Sequence, residues 1–324
     1  MYLSNPLTKS GICEEIDRNC QSAGLYSIED KVARINDGLD RYFFLASKAC
    51  GVRNFDDTLQ SSPPIDTQNL VSGTFRYKMS SFTAKVLQLL RISALSSDGI
   101  EYDLIPEDIQ NLPGSFTELY KSTITGPPAY YLVYGDFIYV RPTPDYNETA
   151  GLVAYFNRAI SKFDLTKFTV TIASPGVFSA TNTLAAGDTV VPVTDGALPT
   201  GLTAKNTYYI ISAGLSASAF EVALTSGGSA INTSGSQSGN HAFVQTNKEP
   251  GIPGIHHTYL ARYASLPWMI ENEKPQVEQI KRLIGSADPR NPYYGGDELA
   301  ITEFFSGKNK DISKRMTMSP VMGR

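Results

Sequence analysis

Residues 129–141, with the sequence AYYLVYGDFIYVR, carry the clearest local signal of secondary structure in this chain. Two short apolar and aromatic segments flank Gly135-Asp136. Because such a pair tolerates the positive φ angles of tight turns, the stretch predicts an antiparallel β-hairpin. The hairpin contains four tyrosines: Tyr130, Tyr131, Tyr134 and Tyr139. Tyrosine suits packed but partly wet interfaces. Tyrosines that only flank a sheet, or that form a sugar-binding platform, are the alternatives.

Further strand patterns lie on both sides of this hairpin. Aromatic and apolar residues alternate with polar ones over 75–79, and residues 152–156 form another apolar segment. An apolar run at 86–95 is separated from the alternating residues 100–104 by Ser97, Asp98 and Gly99, which indicates a second hairpin. These segments together predict an antiparallel β core.

Helical patterns lie at both ends of the chain. Residues 10–21 place Ile12, Cys13, Ile16 and Cys20 on one face, and a longer helix begins after Ser27 and ends near Gly51. Residues 253–270, 274–284 and 297–305 predict C-terminal helices. The predicted fold class is therefore α+β, with N-terminal and C-terminal helices around the β core.

The composition changes sharply in the second half of the chain. Between residues 168 and 246 the only charged side chains are Asp188, Asp195, Lys205 and Glu221, and short β-prone segments alternate with Ser/Gly-rich turns. A disordered linker is one interpretation, but the regular spacing of apolar residues favours a folded, sandwich-like all-β module. The predicted organisation is a body of residues 1–165 plus 247–310, an inserted module at 166–246, and a flexible basic tail at 308–324.

Composition and motifs exclude several classes of function. The 324 residues have a formal charge of −4, no apolar run of transmembrane length, and three cysteines without metal-ligand spacing. This pattern indicates synthesis in a reducing cytoplasm and no membrane partner. Phosphate-binding, nucleophile-elbow and zinc-protease motifs are absent. We therefore expect no enzymatic activity, no catalytic residues, no metal and no cofactor.

Several strings together resemble the head-to-tail connector, or neck adaptor, proteins of tailed bacteriophages. Residues 33–41 (ARINDGLDR) and 54–58 (NFDDT) are similar to the N-terminal helix of that family and its end. Residues 67–73, 135–144 and 151–156 resemble its strands and hairpin, and residues 249–253 resemble the start of its C-terminal helices. About eighty residues stand where the family has a short connection, which independently supports an insertion. The insert resembles the small Ig-like β modules of phage structural proteins.

This resemblance implies a structural role in the virion neck, after assembly in the host cytoplasm. Such adaptors form a ring, often twelvefold, below the portal protein and dock the tail tube or nozzle, and DNA passes through without sequence readout. The module would reach capsid or fibre. The terminal helices would make subunit or portal contacts, so the interface candidates are Tyr42, Tyr130, Tyr131, Tyr134, Tyr139, Trp268, Lys314 and Arg315. Two alternatives remain: a tail or decoration protein whose module binds host glycan or capsid, and a virion-associated hydrolase.

Overall fold

Helices and strands occur in separate segments of the chain, which confirms the predicted α+β class. The computed structural model describes residues 1–22, 24–50, 57–82, 86–121 and 123–316, with side chains as far as residue 307. The chain divides into two compact units: residues 1–49 together with 161–324, and residues 50–160. We call these the terminal unit and the central unit.

The central unit contains two four-stranded sheets. The strands are β1 (Ile65–Leu70), β2 (Arg76–Lys78), β3 (Val86–Leu95), β4 (Glu101–Asp103), β5 (Ile105–Pro106), β6 (Tyr130–Tyr134), β7 (Phe137–Arg141) and β8 (Glu148–Arg158). The first sheet has the order β1-β8-β3-β4, and the second has the order β2-β7-β6-β5. All pairs are antiparallel except β5 with β6. Both predicted hairpins are confirmed, with Gly99 and Gly135 at positive φ in their turns.

Apolar residues from both sheets form the core of the central unit, including Ile92, Ile138, Val140, Leu152 and Phe156. Side chains alternate between the two faces of a strand, so a strand covered on one side buries every second residue. Strands β3 and β8 bury consecutive residues over part of their length and are therefore covered on both faces there. In β7, Ile138 and Val140 are fully buried, whereas the intervening residues are half-exposed.

The helices of the terminal unit come from both ends of the chain. They are α1 (Ile12–Cys20), α2 (Ile28–Cys50), α4 (His257–Glu271), α5 (Val277–Ile284) and α6 (Gly296–Met316), whereas the short α3 (Phe116–Leu119) belongs to the central unit. The Ser27 hydroxyl accepts a hydrogen bond from the Asp30 amide at 3.1 Å, which caps α2 as predicted. The predicted stop at Gly51 lies outside the described residues. Helix α1 packs against α4. The Tyr26 hydroxyl, from the segment between α1 and α2, donates to the Ala264 carbonyl of α4 at 3.0 Å.

The predicted all-β module is a seven-stranded antiparallel sheet in the order β13-β10-β9-β15-β11-β12-β14. Its strands are β9 (Thr166–Val170), β10 (Phe178–Ser179), β11 (Thr189–Thr194), β12 (Tyr208–Ile210), β13 (Ala219–Phe220), β14 (Val222–Ala223) and β15 (His241–Gln245). The core contains only residues of this segment, among them Phe168, Phe178 and Phe220. The first and last strands are neighbours, with Thr166 opposite Phe243.

Two boundaries differ from those expected. The compact units separate residues 50–160 from the terminal helices, whereas the predicted body joined them, and the module groups with the helices. Helix α6 extends to Met316, beyond the predicted end at residue 305. Residues 308–316, predicted as part of a flexible tail, are therefore helical, and no proline interrupts them. Residues 317–324 lie outside the described part of the chain.

Candidate functional site

The candidate site is one face of the sheet β2-β7-β6-β5 in the central unit. The residues of β7 that alternate with its buried positions are Phe137, Tyr139 and Arg141. Their partners on the neighbouring strands share the same face because directly paired residues in an antiparallel sheet point to the same side. The register thereby adds Tyr130, Leu132 and Tyr134 of β6 and Arg76 and Lys78 of β2, with Leu132 buried opposite Tyr139. We call this set the aromatic face.

Rings pack closely around Tyr139 at the centre of the aromatic face. The short helix α3 (Phe116–Leu119) contributes Phe116, whose ring centroid lies 5.0 Å from that of Tyr139 in an edge-on arrangement. Tyr120 lies 6.1 Å away, and Phe75 lies at 6.3 Å. Such offset and edge-on pairs stabilise by about 0.5–1.5 kcal/mol beyond the area they bury. The cluster is therefore closely packed around Tyr139, and the most exposed side chains, Arg76, Lys78 and Tyr134, lie at its margin.

A charged network closes one side of this cluster. Arg141 and Glu107 form an ion pair with two hydrogen bonds. The Arg141 Nε donates to Glu107 Oε2 at 2.6 Å, and Nη2 donates to Oε1. The Tyr120 hydroxyl donates to the same carboxylate oxygen at 2.5 Å. The hydrogen bond from Arg141, with that from Tyr120, holds the pKa of Glu107 below its usual range. Burial and the nearby carboxylate raise the pKa of Tyr120. At neutral pH the network is therefore an ion pair with a neutral tyrosine.

Cations stack on the rings of the aromatic face. The Arg141 guanidinium carbon lies 4.2 Å from the centroid of Tyr130, and that of Arg76 lies 4.8 Å from the centroid of Phe137. Arg76 and Lys78 are exposed, and Tyr134 retains 56% of its exposure. Aromatic residues and arginine are the residue types that contribute most to protein–protein contacts. The arrangement suits binding of a protein surface, and these groups include no nucleophile beside a general base.

The structure brings three of the predicted interface residues together. Tyr130, Tyr134 and Tyr139 share the aromatic face, as a two-residue repeat requires. Tyr131 lies on the opposite face and is 7% exposed in the core, so it does not contact a partner as placed here. Tyr131 directly follows Tyr130 on β6, and because successive side chains of a strand point to opposite faces, the two tyrosines point in opposite directions.

The remaining candidates lie in the terminal unit. Tyr42 is fully buried, and its hydroxyl bonds His256 Nδ1 at 2.7 Å, so it packs the helices together and is not a surface residue. Trp268 is half-buried, stacks on Tyr26 with centroids 5.7 Å apart, and lies under the Lys274 ammonium. Lys314 and Arg315 belong to α6 beyond residue 307, where side chains are outside the described part of the structure.

Sequence reasoning missed Phe116, Tyr120 and Glu107. They come from a segment predicted only as short helical or irregular turns, and they reach the hairpin through the tertiary fold. One signal was available: between Arg91 and Lys121 the chain has six acidic residues and no basic one. A half-buried carboxylate in such a segment can find a cation only elsewhere in the chain, and Arg141 at the end of the hairpin is the one that pairs with Glu107.

The module offers a different kind of site. A cavity of about 420 Å³ is lined by Lys167, Phe168, Asn240 and His241 among others. A second cavity, of about 240 Å³, lies near Phe163 and Gln245. The phenylalanines of the module core are buried, so they do not form the exposed coplanar platform that binding of a glycan to the module predicts.

Neither metal ligands nor membrane-spanning helices are found within the described ranges. No group of three or more His, Cys, Asp or Glu residues there could hold a metal ion. No described helix is both long and apolar enough to cross a bilayer. Cys13 and Cys20 are buried on α1, and burial raises the pKa of their thiols to about 12 and about 11, respectively.

Comparison with known proteins shows no family for this chain. No protein-family model matches the chain, and no curated protein matches it. The inference of function therefore depends on the short strings described above and on where the fold places them.

Proposed function

We propose that this chain is a structural protein of a tailed-phage virion. It acts as a head-to-tail adaptor that forms a ring below the portal protein and docks the tail, while the genome passes through the lumen. In this proposal the protein works by shape and self-association, and its side chains make or break no bond.

The observation that carries the proposal is the placement of the resembling strings on the expected kinds of element. Residues 33–41 lie within α2, residues 135–144 contain β7 and the turn before it, and residues 151–156 lie within β8. Residues 249–253 directly precede the short helical turn that leads into α4. Residues 67–70 of a further string lie in β1, and residues 54–56 of the remaining string lie outside the described residues. The agreement in type of element supports the proposal.

The geometry of the module supports the same proposal. Thr166 and Phe243 pair across neighbouring strands, whose backbones are about 5 Å apart. The chain therefore enters and leaves the module at neighbouring positions, as it would at the ends of a short loop, which is the condition under which an inserted domain is tolerated. The family pattern, with a short connection at this point, is thus compatible with the long insert.

The test is native mass spectrometry of the full chain mixed with the portal protein of its virion. We expect a complex with one portal ring and a matching ring of this chain. Failure to bind the portal ring at micromolar concentrations contradicts the proposal, as does localisation far from the tail-bearing vertex in electron micrographs.

A variant without the module tests whether the module is needed for portal binding. Residues 166–245 are removed, and a short Gly/Ser linker joins the two ends. Because the resembling strings of the body all lie outside the module, we expect this variant to unfold cooperatively and to bind the portal protein. Loss of portal binding by a folded deletion variant would assign binding to the module and favour the decoration alternative.

A further inference from the structure

The central unit has two opposite edges with different charge. The strands β4 and β5 end the two sheets on one side, and only Leu104 separates them in sequence. The strands β1 and β2 end the sheets on the other side. Gln68 of β1 donates from its side-chain amide to the Lys78 carbonyl of β2 at 2.8 Å, so these two strands are neighbours. The unit thus presents one edge made of β4 and β5 and another made of β1 and β2.

The edge made of β4 and β5 is acidic and partly apolar. It comprises residues 98–108, and we call it the acidic edge. Asp98, Glu101 and Asp108 are exposed and form no ion pair within the part of the chain that the structure describes. Ile100 and Ile105 retain 67% and 54% of their exposure beside these carboxylates. Pro106 lacks an amide hydrogen, which limits extension of the sheet by backbone pairing.

The opposite edge carries exposed cations. Arg76 stacks on Phe137 and forms no ion pair within the described residues, and Lys78 lies 4.0 Å from Asp136, at the limit of an ion pair. Val71 and Ile65 keep 45% and 40% of their exposure nearby. Two carboxylates lie beside these cations: Asp66 of β1, which is half-buried, and Asp136, which faces Lys78. We call Arg76 and Lys78, with these two apolar residues, the basic edge, because Arg76 and Lys78 are the exposed charged side chains of its two strands.

We propose that the acidic edge of one copy of this chain docks on the basic edge of the next copy. The occupant is a second copy because the two edges complement each other in charge and both combine charges with exposed apolar side chains. A contact between two different surfaces is head-to-tail, and head-to-tail contacts close into rings when their rotation allows it. The inference rests on the proposed adaptor function, which requires a ring. It adds which two surfaces of neighbouring copies are in contact.

A rival explanation makes the opposite prediction. Exposed charges on edge strands commonly prevent unwanted association between sheets. If the carboxylates of the acidic edge only guard against aggregation, neutralising them will strengthen self-association. If they dock on the basic edge, neutralising them will weaken it.

The experiment measures self-association by sedimentation velocity over a concentration series at 50 mM and 300 mM salt. The acidic-edge variant is Glu101→Gln with Asp108→Asn, which keeps oxygen acceptors for the Tyr155 hydroxyl and the Gln110 amide. The control, Glu271→Gln with Glu273→Gln, changes the net charge equally at exposed positions of the terminal unit. We expect the acidic-edge variant to associate about tenfold more weakly and the control to match the wild type. Higher salt should weaken the wild type, since exposed charges are screened over about 10 Å.

A charge exchange completes the test. One variant carries Arg76→Glu and Lys78→Glu, and the other carries Glu101→Lys and Asp108→Lys. Each alone should remain monomeric, and mixing the two should restore association. A wild-type chain that is monomeric at every concentration, unchanged or stronger association of the acidic-edge variant, or a mixture that stays monomeric would each overturn the inference. Portal binding measured on the same variants separates the two proposals, because an adaptor with other subunit contacts still binds the portal.

Discussion

The ion pair between Glu107 and Arg141 gives the sharpest prediction for the central unit. The change is Glu107→Gln, which keeps the shape of the side chain and removes its charge. The side chains of the pair are 12% and 19% exposed, so Arg141 would be left as a largely buried, unpaired cation. Removing one partner of a fully buried pair costs about 3–5 kcal/mol, and exposed pairs contribute about 0–1 kcal/mol.

The residual exposure of the pair sets the expected magnitude below the fully buried limit. We expect the free energy of unfolding of the central unit to fall by about 2–3 kcal/mol. The assay is native-state hydrogen exchange with mass spectrometry on peptides from residues 130–141. A loss of that size raises their exchange rate by about 30- to 160-fold where exchange requires unfolding of the unit. Peptides from β11 of the module serve as an internal reference.

Two further variants test the cause of the effect. Glu118→Gln removes an exposed carboxylate of α3 that forms no ion pair within the described residues, and it should leave exchange unchanged. Glu107→Leu combined with Arg141→Met removes both charges and should recover most of the loss, because the unpaired cation causes it. An increase of less than about threefold for Glu107→Gln would refute the reasoning.

Three other predictions concern pH, backbone conformation and thiol chemistry. The pKa of Glu107 is lower in the folded protein than in the unfolded chain, where it is about 4.5, so ionised Glu107 stabilises the folded state. This contribution is complete above about pH 4.5 and is lost as the pH falls through the folded-state pKa. The urea concentration at the midpoint of unfolding should therefore fall in acid, and it should fall less in Glu107→Gln. Gly285 has φ of +67°, and a Cβ there would collide with the Gly295 carbonyl oxygen, so Gly285→Ala should lower the free energy of unfolding of the terminal unit by about 3 kcal/mol. The control is Gly99→Ala in the central unit, where a Cβ meets no atom within 4 Å and the expected loss is about 1 kcal/mol. Cys13 and Cys20 should resist alkylation by iodoacetamide at pH 8 in the native protein and react fully in urea, because the thiolate is the reactive form.

The predictions from sequence were right where the determining interactions are local. The Asp98-Gly99 and Gly135-Asp136 turns fix the two hairpins within a few residues, and the Ser27 cap fixes the start of α2. The apolar stripe of α1 likewise matches its buried face. In each case the residues that decide the structure are close together in the sequence, so the local pattern is enough to predict it.

The parts that were missed depend on contacts between distant segments. Glu107 and Arg141 are 34 positions apart, and nothing near either residue specifies the other. The parallel pairing of β5 with β6 has no local signature, because Pro106 suggests a break and not a strand. The tyrosine-rich hairpin was correctly singled out, but the burial of Tyr131 and Tyr42 depends on which face the tertiary fold covers.

The helix contacts of the terminal unit have a consequence for synthesis of this protein on the ribosome. Cys20 of α1 donates from its sulfur to the carbonyl of Ser265 in α4, 245 positions along the chain. At about 5–20 residues per second, roughly 12–50 s pass before that partner emerges. The apolar residues Ile12 and Ile16 of α1 and Ile35 and Leu39 of α2 are buried in the folded protein. During this interval they are not yet packed against α4. The nascent chain should therefore bind chaperones through its first fifty residues until α4 has been translated.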